Sequence, residues 1–198
     1  MMDEMDCTAA DLIHAYGRLY NLPKVKKLNP SDQVDHTPQR TVQALFELFE
    51  GCDIDPVIIL DKQFNNEKYD EMVYVNEIAF VSMCAHHTLP FLGKVYFAYT
   101  PHETIVGLSK IPRFIEALAH RPQIQEQLTA QIADTFMECV KPYGCGVVIE
   151  AWHTCMMIRG PRKDAYTKTT AMRGSFKQDP TRSEFLNGIR KTSEQIWP

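Results

Sequence analysis

From Pro122 to Lys141, apolar residues recur every four positions (Ile124, Leu128, Ile132, Phe136 and Val140), a spacing that suits a helix with one buried face. A shorter helix is predicted just ahead of it, over Pro112–His120. On both sides of this helical pair the texture changes to strand. Val57–Leu60, Met72–Met83, Lys94–Thr100 and Ile105–Leu108 precede it, and Gly146–Ile158 and Thr169–Phe176 follow, all rich in β-branched and aromatic residues. Asp179-Pro180 then opens a last helix carrying Phe185, Leu186 and Ile189. Strands, two helices, strands and a helix without strict alternation predict an α+β fold with an antiparallel sheet. Several of the strands are apolar on both sides, so each face of the sheet needs a cover of helices or of a second subunit.

Ahead of this pattern the chain reads as a separate piece. Ala9–Leu22 is amphipathic, and Pro23, Lys26, Lys27 and Asn29-Pro30 follow as a linker. Residues 1–36 are therefore expected to form a helical arm that packs on a neighbouring subunit, with the main domain over 37–198. A helix start is signalled at Thr37, which can cap, with Pro38 in the first helical position. Val42, Leu45, Phe46 and Phe49 continue it, and Gly51 is expected to end it.

Composition removes whole classes of function. At 44% hydrophobic and 23% charged residues, the chain is neither disordered nor collagen-like. A net charge of −4 argues against an electrostatic nucleic-acid binder. No apolar run approaches the ~20 residues that span a bilayer, and the acidic start MMDEMDCTAADL has no signal-peptide pattern. A cytoplasmic protein, with neither membrane nor nucleic acid as partner, is the expectation. Its six cysteines are then expected to be reduced, either buried or bound to metal.

Two thiol–imidazole pairs stand out. In Ser82-Met83-Cys84-Ala85-His86-His87, a cysteine and a histidine three apart at a strand end can turn onto one point. In His153-Thr154-Cys155, read as strand, alternation would project His153 and Cys155 together. Two cysteines and two histidines would close a structural zinc site. Cys84, His87 and Cys155 alone would leave one position for water, with His86 and His153 beside it as proton carriers. Spacing leaves both arrangements open.

Two further features concern anions and bases. Residues 159–177 carry Arg159, Arg162, Lys163, Lys168, Arg173 and Lys177 against Asp164 alone, and Ser109, Lys110 and Arg113 sit at a strand-to-helix junction. Helix-start amides, a hydroxyl and guanidinium groups suit phosphate oxygens, so a phosphorylated small molecule fits better than a nucleic acid. Gln125-Glu126 opens the long helix. Its carboxylate is either a residue favoured by the helix dipole or an acceptor for paired N–H groups of guanine, and residue chemistry alone favours the dipole.

Taken in order, Ser82–His87, Gly107-Leu108-Ser109-Lys110-Ile111-Pro112-Arg113, Arg121–Thr129, His153–Gly160 and Thr169–Gly174 resemble the GTP cyclohydrolase I family, over roughly Thr37 to Ile189. The resemblance implies a tunnelling fold, in which an antiparallel four-stranded sheet backed by helices closes into a pentameric barrel. Two pentamers then stack as a homodecamer with active sites between subunits. It implies Cys84, His87 and Cys155 as zinc ligands, and His86 and His153 as acid/base groups. Glu126 with Gln125 becomes the guanine anchor, and Ser109, Lys110, Arg113 and Arg159 the triphosphate contacts. The implied reaction is attack of zinc-bound water on the imidazole CH carbon of GTP, releasing formate and yielding 7,8-dihydroneopterin triphosphate. Ala85 departs from the glutamate usual at that position and bears on the choice between GTP and dGTP. The alternatives are another tunnelling-fold enzyme acting on pterins or deazapurines, and an inactive zinc- and GTP-binding regulator.

Overall fold

The structure, a computed structural model, describes residues 2–22, 25 and 34–189. The linker positions Pro23, Lys26, Lys27, Asn29 and Pro30 lie outside the described residues. Two compact units divide the chain, Met1–Phe49 and Glu50–Pro198. In the first, α1 (Met2–Tyr20) and α2 (Thr37–Leu48) pack on each other. The cap of α2 is His36 rather than Thr37, with no side-chain capping bond, and the helix stops at Leu48. Gly51 does not terminate it. It falls in a 3₁₀ turn, Glu50–Cys52, where an added Cβ would stand 2.3 Å from the Ala117 carbonyl oxygen. Glycine is needed there for close approach of two backbones.

In the second unit the predicted strand Val57–Leu60 is a helix, α3 (Pro56–Leu60). The Asp55 carboxylate accepts from the Val57 N–H at 2.9 Å, and Pro56 occupies the first turn. Local capping thus overrides the β-preference of Val57, Ile58 and Ile59. A small ribbon pairs β1 (Gln63–Asn65) with β4 (Thr104–Val106). The main sheet contains β2 (Val73–Cys84), β3 (Pro90–Thr100), β5 (Pro122–Gln123), β6 (Gly144–His153) and β7 (Tyr166–Gly174). Its order is β5-β2-β3-β6-β7. The four long strands are antiparallel, as expected, and the two-residue β5 adds a parallel edge on β2.

Both helices of the central pair cover one face. α4 (Lys110–Ala119) and α5 (Gln125–Val140) bring Phe114, Ile115, Leu128, Ile132 and Phe136 onto Val95, Phe97, Val147 and Ile149, all essentially without solvent contact. The four-residue stripe is thus the core face of α5. Burial of each such side chain is worth about 1.5–3 kcal/mol. On the opposite face, Phe185 and Ile189, from α7 (Thr181–Gly188) and the residue that follows it, pack with Phe176 on Tyr96, Ala98 and Val148. No helix among the described residues is long and apolar enough to cross a membrane.

Strand ends place the chemistry. Register sets Ser82 opposite Phe91 and Phe91 opposite His153, while β5 sets Gln123 beside Cys84. Cys84 and His153 are the last residues of β2 and β6, so both constellations sit at one end of the sheet.

Candidate metal centre

After Cys84 the backbone folds back in a tight turn. The N–H groups of His87 and Thr88 both donate to the Cys84 carbonyl, at 3.2 and 2.9 Å, and Cys84 N–H donates to Leu89 O at 2.9 Å. That turn returns His87 Nδ1 to 3.6 Å from Cys84 Sγ. The second pair is built differently from the expectation. β6 stops at His153, and Cys155 lies in the short helix α6 (Thr154–Met157), so strand alternation does not align the two residues. Thr154 Oγ1 donates to Pro90 O at 2.6 Å and anchors the switch from strand to helix.

Cys84, His87 and Cys155 nevertheless meet, with their ligand atoms all within 4.8 Å of one another. A sulfur and a nitrogen on one tetrahedral zinc stand about 3.6 Å apart, given bond lengths of about 2.3 and 2.05 Å, which matches the Cys84–His87 separation. Both thiols are buried and the imidazole is exposed. Burial and the neighbouring Cys84 push the Cys155 thiol upward, while Arg159 pulls it down. Two thiols crowded in this way are the donor set that a divalent cation relieves. All five cysteines whose side chains are described are free thiols.

Neither remaining histidine joins the group. His86 Nδ1 is 3.9 Å from Cys84 Sγ, but the set that closes within 4.8 Å excludes it. His153 stacks on Phe91, ring centroids 4.6 Å apart and nearly parallel, and its Nε2 is 2.7 Å from Gln125 Oε1. Burial lowers the His153 pKa, and Glu126 opposes the shift. Three clustered ligands rather than four give the open arrangement among the described residues.

The other predicted residues divide by location. Gln125 and Glu126 form the first turn of α5, Gln125 fully buried and Glu126 exposed and close enough to act on His153. Arg159 is exposed just beyond α6 and acts on Cys155. Ser109, Lys110 and Arg113 are not near this end. Val106, just before them, donates its N–H to Tyr99 Oη at 3.2 Å. Tyr99 lies eight residues along β3 from Phe91, about 26 Å at roughly 3.3 Å per residue. From there α4 runs back toward Cys84 over its ten residues, about 15 Å. The cationic run also disperses, since Lys168 pairs with Glu150 on one face of β7 and Arg173 with Asp134 on the other. Sequence reading missed Phe91, Thr129 and Thr169. Their partnerships cross between elements, and no local spacing signals them.

A Cys–His–Cys group that could hold a metal ion thus stands beside an oriented histidine at the end of an α+β sheet, the donor set of a candidate metal centre. The family model described as GTP cyclohydrolase I matches residues 21–190. Curated relatives called GTP cyclohydrolase 1 include those of a Synechococcus species, Wolinella succinogenes and Campylobacter lari. The first is 47% identical over 79% of this chain and 69% of its own length. The second is 48% identical over 78% and 83%, and the third 48% identical over 80% and 84%. Among solved structures, the archaeosine synthase QueF-Like in the apo form aligns at a TM-score of 0.44 with 14% identity, over 55% of this chain and 98% of its own. That likeness is too loose to carry an argument. The chain belongs to the GTP cyclohydrolase I family.

Proposed function

We infer that this chain is a GTP cyclohydrolase, which opens the guanine imidazole ring of GTP, releases formate and forms 7,8-dihydroneopterin triphosphate. The observation that carries this reading is the convergence of the three side chains of Cys84, His87 and Cys155, in a chain of this family. These three residues would hold zinc, which supplies Lewis acidity and a water of pKa near ~7.

The chain's own groups do the rest. His153, half-buried and stacked on Phe91, takes up a proton and hands it to the purine nitrogen beside the CH carbon, returning to the neutral imidazole and making that carbon electrophilic. His86, exposed beside Cys84, is the second proton carrier. Glu126 accepts from the adjacent ring and amino N–H groups of guanine. Arg159 meets the triphosphate together with Ser109, Lys110 and Arg113.

The segment that leads into α4 and these last three residues leaves from Val106, at the far end of the sheet, which supports an active site completed by a neighbouring subunit. The assembly proposed is the tunnelling-fold pentameric barrel, doubled to a cytoplasmic homodecamer, with residues 1–36 as an arm on a neighbour and 37–198 as the catalytic domain. Ala85, exposed with its N–H on Gln123 O, leaves ligands and histidines in place, so turnover is retained. Zinc-loaded protein incubated with GTP and, separately, dGTP yields formate and, after oxidation, neopterin fluorescence. Absence of product from both nucleotides overturns the reading.

A further inference from the structure

Gln125 is buried and surrounded by partners that dictate which way its amide points. Its Nε2 faces the carbonyl oxygens of Ile149 and Thr167, at 3.2 and 3.0 Å, and Thr169 Oγ1 at 3.1 Å. Carbonyl oxygens only accept, so the NH₂ end must lie there, and the reversed amide would set oxygen against oxygen. The hydroxyls close the argument. Thr129 Oγ1 donates to the Gln125 carbonyl at 2.7 Å and so accepts from Thr169 Oγ1 at 2.6 Å. Thr169 Oγ1 has then given its hydrogen and can only accept from Gln125 Nε2. Every donor in the relay is assigned.

Gln125 Oε1 therefore faces His153 Nε2, 2.7 Å away, and an amide oxygen can only accept. We infer that Gln125 is a positioning residue that keeps a hydrogen on Nε2 of the His153 ring, leaving Nδ1 as the nitrogen that takes up and delivers the proton during ring opening. This rests on the reading of His153 as a proton carrier, and it replaces the expected contact between the Gln125 side chain and the base. A buried amide whose NH₂ and oxygen are both committed within the protein has little left to offer guanine. Phe91, stacked on the ring, keeps the imidazole plane fixed while the hydrogen bond sets the tautomer.

The test begins with unmutated, zinc-loaded protein labelled with 15N at histidine, His153 being assigned by difference from His153→Asn. At a pH where the ring is neutral, the expected spectrum shows a protonated Nε2 and a bare Nδ1. A protonated Nδ1 in the neutral ring overturns the inference, whether or not the protein opens GTP. The correct tautomer in protein that turns over neither nucleotide leaves the orienting role of Gln125 standing and removes the functional reading, with the proton transfer, instead. Gln125→Met, close in shape but unable to accept, should lower kcat by roughly 10- to 100-fold with KM for GTP unchanged. Gln125→Glu keeps an acceptor oxygen for His153 when its other oxygen is protonated and donates toward the Ile149 and Thr167 carbonyls in place of the amide, and should then restore part of kcat and the tautomer. A rise in KM at unchanged kcat in Gln125→Met would make the side chain a base anchor and defeat the proposal.

Discussion

Cys84 and Cys155 approach each other from different elements, one ending a strand and the other inside a helical turn, so neither can be replaced by local adjustment of its own segment. Exchanging Cys155 for serine removes the thiolate and leaves two ligands. Zinc content should fall from about one per chain toward none, and activity with it, as elemental analysis beside a GTP assay will show. Cys145 illustrates the opposite use of a thiol. It is buried against the Ala133 carbonyl, and burial pushes its pKa up to about 12, so it is inert packing. Because the folded pKa lies above the unfolded value, its stabilising contribution is complete below about pH 8.5 and is lost as pH rises toward 12. Urea denaturation from about pH 8 to about pH 11 should therefore show stability falling with pH. The slope should be shallower in Cys145→Ala.

At the scale of elements, the pairing of β3 with β6 does most to bring the site together, since it places Phe91 under His153. The same pairing is tightest at Gly93, opposite Ala151, where an added Cβ would stand 1.9 Å from the Glu150 carbonyl oxygen. The obstacle is backbone, which cannot rotate away. Gly93→Ala should cost about 3 kcal/mol through strand displacement. Equilibrium denaturation measures that loss, and a change below roughly 0.5 kcal/mol would show the ladder to be more compliant than the register implies. β2 is held through the turn at Cys84 and α5 through the core face of Leu128, Ile132 and Phe136.

At the scale of the molecule, the separation between the Cys84 end of the sheet and the start of α4 makes a strong prediction. Cys84→Ser and Arg113→Ala should each be inactive alone. Co-refolded at equal amounts, they should regain about a quarter of wild-type activity, because random neighbours then supply an intact metal group to an intact Arg113. No recovery in verified mixed oligomers would mean that the anion-binding residues serve their own subunit. The helix faces, the four long strands and the identity of the thiol–imidazole pairs were legible in the sequence, because periodicity and donor chemistry are properties of neighbouring residues. Val57–Leu60 and the end of β6 misled it, since capping by Asp55 and the tether from Thr154 to Pro90 are interactions that propensity does not encode. Residue spacing left open whether three or four side chains would gather, and the direction of the Gln125 amide oxygen toward His153 depended on tertiary structure alone. Register between strands distant in the chain decides which donors share a point in space, and a hydrogen bond acquires its direction only when all its partners are in place.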